Sequence, residues 1–311
     1  MDNPLRLRYN IMTDCRRRHR LRSPSFSAKG EHIYFMKIIT DSSCDLTPEL
    51  GARLGVDHII PMKITADGSE YIDRVTLSLD DFYYHILPGC KQLPKTSQVS
   101  VNDFMEIYAA YPDEDLLVLP LSSGLSGEYN SACLAAQETG RDNIYVVDNK
   151  STTLALALMA EVACRLRDEG RCAADIQQEL EALAPRVRVY ALMETLHYLV
   201  MGGRLSKVAG AVGNALRIMP IICLKDGTLT AVGKAHGYKG GLRTLRTYVD
   251  RDPIAPDYPV YFAHTNNEDG VEQLRAVFTE APQDAPALLV GPIVGTHVGP
   301  GATAISYIAK E

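Results

Sequence analysis

Residues 115–132 read DLLVLPLSSGLSGEYNSA. Asp115-Leu116-Leu117-Val118-Leu119 is a short apolar run of the kind that becomes a strand buried on both faces. Ser122-Ser123-Gly124 and Ser126-Gly127 follow, and a helical stretch then runs to about residue 138. In an open α/β sheet such a turn lies at the carboxyl end of the strand, where ligands bind. A helix N-terminus offers unpaired N–H groups and a partial positive charge, glycines admit an anion, and hydroxyls donate further hydrogen bonds. The loop therefore reads as an anion cradle, with a plain N-cap and tight turn as the blander alternative. It is not a known reactive loop. Gly124-Leu125-Ser126-Gly127-Glu128 has Glu where a nucleophile elbow needs glycine, and neither the phosphate loop nor the dinucleotide fingerprint fits.

Working outward, the first half alternates strands and helices. Lys37–Thr40 is a strand ending in Asp41-Ser42-Ser43, and Thr47-Pro48 opens a helix with Thr as N-cap and Pro at N1. His58–Ile64 is a strand followed by an Ala66-Asp67-Gly68 turn. Ser78-Leu79-Asp80-Asp81 and Ser100-Val101-Asn102-Asp103 are helix starts, and between them Pro94-Lys95-Thr96-Ser97-Gln98 reads as an extended polar loop. Asn143–Asp148 is another strand, and helices follow near 152–168 and 173–185. This alternation implies right-handed βαβ units and a parallel sheet covered on both faces, one domain over 36–185.

The second half differs. Val187–Met193 is a strand, with a helix through Leu199, a turn at Gly202–Lys207 and a helix over Ala209–Leu216. Lys225-Asp226-Gly227 between two apolar runs is a hairpin signal. Helices over 241–250 and 270–280, a strand over 259–264 and two terminal strands complete a mixed sheet with helices on one side, a second domain over 186–311. The expected fold class is α/β in two domains: an N-terminal three-layer α/β/α domain with a mainly parallel sheet, and a C-terminal domain with a mixed sheet.

Composition narrows the function. The 311 residues are 46% hydrophobic and 23% charged, and no window approaches the roughly 18 continuous apolar residues of a membrane span. Seven scattered cysteines without a C-x-x-C pair point to reduced thiols in a cytoplasmic protein and against a disulfide framework or thiolate metal cluster. Residues 1–35 carry eight Lys/Arg against three Asp/Glu, leaving 24 against 35 in the rest. So acidic a body disfavours nucleic acid as a partner. The segment 1–35 is expected to lie outside the fold. A transit peptide or a nucleic-acid arm is open there, but Lys29-Gly30-Glu31 matches a translated ribosome-binding sequence, which makes Met36 the expected natural start.

Two further polar loops stand out: Thr96-Ser97, and Gly291-Pro292-Ile293-Val294-Gly295-Thr296-His297-Val298-Gly299-Pro300-Gly301. A lone histidine among apolar residues is more often structural than functional. Taken in order, however, Thr40-Asp41-Ser42, Lys95-Thr96-Ser97-Gln98, Ser122–Gly127 with Tyr129-Asn130-Ser131-Ala132, Gly203-Arg204-Leu205-Ser206 and Gly291–Gly301 make the chain resemble the DegV family of fatty-acid-binding proteins over residues 36–308. The resemblance implies two α/β domains enclosing one long-chain fatty acid. Its carboxylate would be held by Thr96 and Ser123, with Ser97 and Gly124 adjoining and His297 beside it. It implies no cofactor or metal and no catalytic residue, only a carrier that presents the acid to a separate dihydroxyacetone-kinase-like ATP-binding protein. A protonated His297 is expected to offset charge during transfer. Asp41, Ser42 and Arg204 are expected as site support or, for Arg204, a partner contact.

Some positions depart from the family pattern. Val99 replaces a common proline, Met219 a frequent lysine and His236 a usual arginine. Glu128 stands where a small hydroxyl is usual, and an acid one turn from a bound carboxylate is unfavourable unless it points outward as an N-terminal helix charge. The rival reading is an independent hydrolase or phosphotransferase using Ser123, His297 and an acid such as Asp41.

Overall fold

The computed structural model describes residues 36–205 and 217–311. The expected N-terminal extension, the helix expected over Ala209–Leu216, and Ser206 and Lys207 lie outside the described residues. In chain order the first half contains β1 (Met36–Asp41), α1 (Pro48–Leu54), β2 (His58–Ile60), β3 (Lys63–Ala66) and β4 (Ser69–Ile72). A helical segment α2 follows, made of Leu79–Asp81, a π-helical turn Phe82–Ile86 and Leu87–Gly89. Then come β5 (Lys95–Ser97), α3 (Val101–Ala110), β6 (Asp115–Leu119), α4 (Glu128–Thr139), β7 (Ile144–Val146), α5 (Thr153–Asp168) and α6 (Ala173–Leu183). The second half contains β8 (Val187–Leu192), α7 (His197–Met201), β9 (Ile218–Lys225), β10 (Thr228–His236), α8 (Gly237–Arg251), β11 (Tyr261–His264), α9 (Glu268–Val277), β12 (Ala287–Leu289), α10 (Pro292–Val298) and β13 (Thr303–Ile308).

Helix starts follow local chemistry. Thr47 accepts the Leu50 N–H, with Pro48 in the first helical turn, where its missing N–H costs nothing. Ser100 and Asp103 form a reciprocal capping box, and Ser78 Oγ accepts the Asp81 N–H. Each satisfies backbone donors that a helix start leaves unpaired.

The four strands of the first sheet are all parallel, in the order β2-β1-β6-β7. Successive side chains alternate between its faces. Ile38, Leu117 and Leu119 enter one core, while Ile39, Leu116 and Val118 enter another with Phe104 and Tyr108 of α3 and Ala132 and Ala135 of α4. Lys95–Ser97, expected as loop, is instead strand β5, paired antiparallel with β3 in a small sheet ordered β4-β3-β5. Three polar residues are too few to show an alternating pattern, and the buried Ile64 across the pair supplies the apolar contact.

The second sheet is mixed, in the order β10-β9-β8-β13-β11-β12. The expected hairpin joins β9 and β10, with Asp226 at φ 51° and Gly227 at φ 74°, both in the left-handed region that a type I′ turn requires. α8 and α9 cover one face through Leu242, Leu245, Val249, Val271 and Leu274. Helix α10 was not expected. Turn-forming residues at both ends of its seven residues obscure the pattern, although Pro292 at its start and Gly299 just past its end are helix-boundary signals.

The other face of the second sheet is covered by α5, from the first half. Residues 154–160 and 162–164 of this helix are all buried apolar side chains, so it is apolar around its whole circumference, the signature of a fully enclosed helix. They share one core with Ile38, Leu117 and Leu119 of the first sheet and with Val189, Ala191, Tyr261, Ala263 and Ile308 of the second. Glu161 accepts a 2.6 Å hydrogen bond from Tyr261 Oη on β11 and pairs with Arg165 one turn on. Both sheets therefore depend on one helix. Leu158→Ala should lower unfolding free energy by about 2–5 kcal/mol while keeping one cooperative denaturant transition. Two separated transitions would contradict the shared core.

Candidate functional site

The carboxyl ends of β1 and β6 lie side by side in the first sheet, so their following loops are neighbours. Asp41 ends β1 fully buried; its Oδ1 accepts the Ser43 N–H and its Oδ2 the Leu121 N–H, each at 2.8 Å. Ser42 Oγ accepts the Met62 N–H at 3.1 Å. These two residues brace the loops from below.

The 120–127 loop closes largely on itself. Leu125 and Ser126 donate to the Ser122 carbonyl, Ser122 Oγ accepts the Gly124 N–H, and Ser126 Oγ accepts the Glu128 N–H. Ser123 points elsewhere. Its hydroxyl donates to Asp148 Oδ2 at 2.6 Å, its N–H to Asp148 Oδ1 at 3.3 Å, and Lys150 Nζ donates to its Oγ at 3.0 Å. Lys150 also pairs with Asp148. Burial would raise the Asp148 carboxyl, but hydrogen bonds from Lys150 and Ser123 prevail and hold it below the usual range. Asp148 thus stays ionised, and Lys150 Nζ serves Ser123 as a hydrogen-bond donor.

The hairpin tip of the second half caps this loop. A Cβ on Gly124 would lie 2.3 Å from the Gly227 carbonyl oxygen, so only glycine allows the approach. On the other side, Gln98 Nε2 donates to Ser131 Oγ at 2.8 Å, tying the segment after β5 to α4.

α10 rests on β3, β5 and α7, which brings His297 over β5. Thr96 Oγ1 and His297 Nε2 share a 3.1 Å hydrogen bond, joining residues 201 positions apart. His297 Nδ1 is buried without a hydrogen-bond partner and faces Gly202, where a Cβ would lie 2.2 Å away. Burial, with a smaller contribution from the Arg204 guanidinium, lowers the imidazole to about 4. The expectation of a protonated His297 is therefore corrected: the ring stands neutral near pH 7, as a desolvated histidine with a cation nearby must. Arg204 itself is exposed, and its Nη1 donates to the Gly202 carbonyl at 2.6 Å. Ser97 is exposed at the end of β5.

The structure thus brings Thr96 and His297 together, whereas none of the hydrogen bonds of Ser123 reaches either residue. No Ser–His–Asp relay forms from Ser123, His297 and Asp41, because each is engaged by different partners. Sequence reasoning missed Asp148, Lys150 and the Gly227 cap. Their signal is Val147-Asp148 ending a strand beside the serine loop, the same carboxyl-end position. Glu128 does not point outward: it is fully buried, with Asp41 among the groups that act on it. Val99 is buried in the first-half core, and Met219 packs on the second-half core. Among the described residues no cluster of His, Cys, Asp or Glu could hold a metal ion, and no helix is long and apolar enough to cross a membrane.

The family model described as "Uncharacterised protein, DegV family" matches residues 36–310. The chain belongs to the DegV family. A DegV domain-containing protein of Clostridium acetobutylicum is 30% identical over 277 residues, covering 88% of this chain and 99% of the relative. A DegV family protein of Thermus thermophilus, described by its fatty acid binding, shares 30% identity and a TM-score of 0.77, covering 88% of this chain and 99% of its own. A stearic-acid-binding protein of Eubacterium ventriosum shares 26% identity and a TM-score of 0.79, covering 88% and 98%. The α/β architecture with one parallel and one mixed sheet is therefore that of DegV proteins.

In this DegV chain, Gly202→Ala should push the His297 ring off Thr96 and let its pKa rise from about 4 toward the ordinary histidine range. An NMR pH titration of the imidazole checks this. A wild-type ring that titrates near 6.5 would contradict the burial account.

Proposed function

We propose that this DegV protein binds one long-chain fatty acid between its 36–185 and 186–311 domains. The carboxylate is held by Thr96 and Ser123 beside His297, with Ser97 and Gly124 adjoining. The Thr96–His297 hydrogen bond carries the reading, because it joins two of the five expected head-group residues from opposite halves of the chain. Relatives at 26–30% identity whose descriptions state fatty-acid binding support it. Ser123 exchanges its Asp148 contact for the ligand carboxylate on binding.

The chemistry divides affinity from orientation. Burying an acyl chain yields roughly 0.8 kcal/mol per methylene, while each charge-assisted hydrogen bond to the head group adds about 1.5–3 kcal/mol. Hydroxyls and a neutral imidazole orient the carboxylate without a tight ion pair, so its oxygens stay nucleophilic. That suits a non-catalytic carrier which presents the acid, in the cytoplasm, to a separate dihydroxyacetone-kinase-like protein that supplies ATP and forms the acyl phosphate. No cofactor is needed for this role.

Thr96→Val and Ser123→Ala should each weaken binding of a long-chain fatty acid by about 10- to 150-fold, the equivalent of one such bond, in a fluorescence displacement assay. Binding of the corresponding methyl ester should change far less. Unaltered fatty-acid affinity in both variants would refute the head-group assignment.

A further inference from the structure

Glu128 opens α4 with its side chain turned into the protein. It is 0% exposed, and neither Oε1 nor Oε2 has a hydrogen-bond donor within bonding geometry. Asp41, also 0% exposed, acts on it through its charge and side-chain hydrogen bonding, and the two Asp41 oxygens already accept the Ser43 and Leu121 N–H groups. Two carboxylates meeting in a buried space cannot both be ionised. Both are acceptors when charged, so the contact is favourable only if one carries a proton and donates it. Burial raises the Asp41 carboxyl as well, but the Ser43 and Leu121 donors oppose this, whereas Glu128 has no donor in bonding geometry, so Asp41 keeps the charge and Glu128 the proton. Burial first, and the Asp41 charge second, push the Glu128 carboxyl well above its usual range; the Val99 amide opposes this weakly.

The position of the pair gives it a consequence. Asp41 leaves β1, Leu121 precedes Ser122-Ser123, and the Val99 amide near Glu128 lies three residues past Thr96. We propose that Glu128 is a positioning residue for the ligand head-group loops: its carboxylic O–H holds the Asp41 carboxylate, which fixes the Leu121 and Ser43 N–H groups, so one buried proton ties the Ser123 loop to the loop after β1. The link to ligand binding rests on the fatty-acid reading above; the loop lock itself does not.

The other titratable groups around the pair face Asp41 rather than Glu128. They are Cys44 and Asp73, the latter pushed up to about 6 by burial, with Arg74 beyond Asp73. A difference between wild type and E128Q cancels their contribution. The raised folded-state pKa of Glu128 means the folded protein holds a proton that the unfolded chain releases above about 4.5. That stability is fully present below 4.5 and is lost as pH rises toward the folded value. Glu128→Gln supplies a neutral N–H donor to Asp41 with nothing to titrate.

The test compares wild type, E128Q and E128A from pH 5 to 9.5, by thermal melting and by hydrogen exchange of the Leu121 and Ser43 amides. The wild-type melting temperature should fall with rising pH relative to E128Q, and Leu121 protection should fall at least fivefold in wild type while E128Q stays flat. E128A, if it folds, should lose that protection at every pH. Parallel pH profiles for wild type and E128Q, or full Leu121 protection in E128A, would overturn the proposal. A second arm measures oleic acid affinity, where wild type should weaken at high pH and E128Q should not. If wild type binds no oleic acid at any pH, the fatty-acid reading fails, while the exchange and melting data still decide the loop lock.

Discussion

Burial of α5 between the two sheets is the constraint on which the other features depend. A helix apolar on every side has no stable solvent-facing orientation, so the parallel sheet must cover one side of it and the mixed sheet the other. Neither half completes its core alone. The relative position of the halves is thereby fixed, and with it the meeting of β5 from the first with α10 from the second. The Thr96–His297 bond is a local consequence of that larger packing.

The loops at the carboxyl ends of β1 and β6 are supported mostly by acids. Asp41, Asp45, Asp73 and Glu128 are all buried, and Arg74 is the guanidinium that faces Asp45 and Asp73. Burial raises Asp45 to about 7 despite the opposing charge of Arg74, and Asp73 to about 6. Asp45 Oδ1 accepts the Gly291 N–H at 2.7 Å, linking this acidic layer to the segment that enters α10. Raised carboxyls, a protonated Glu128 and the Arg74 guanidinium leave this layer with only part of its formal negative charge, and the polar groups above it are hydroxyls and amides. Lys150 offsets the remainder only partly, because its ammonium is shared with Asp148.

Much of this was legible in the sequence where a single local rule decides the outcome. Thr47-Pro48, Ser100–Asp103 and Asp226-Gly227 each place a boundary through their own backbone hydrogen bonds, and the structure follows them. The two-faced burial of Leu116–Leu119 follows from an uninterrupted apolar run. What failed depended on neighbours distant in the chain. Lys95–Ser97 is a strand because Lys63–Thr65 lies beside it, and nothing in three polar residues announces that. Local rules favour an acid at a helix start but do not give its direction, and Glu128 is fully buried with Asp41, distant in the chain, acting on it. The pairing of Ser123 with Asp148 and Lys150 crosses two strands and was equally invisible. His297 was legible as a site residue only through family resemblance; its neutral state follows from burial that no sequence pattern encodes.

Native mass spectrometry of the purified full chain tests the central claim most directly, since a carrier whose acyl chain is enclosed between two halves should retain its cargo. The account predicts a 1:1 complex whose extra mass matches a long-chain fatty acid and is released on denaturation. Ligand-free protein that also fails to take up added fatty acid would contradict it.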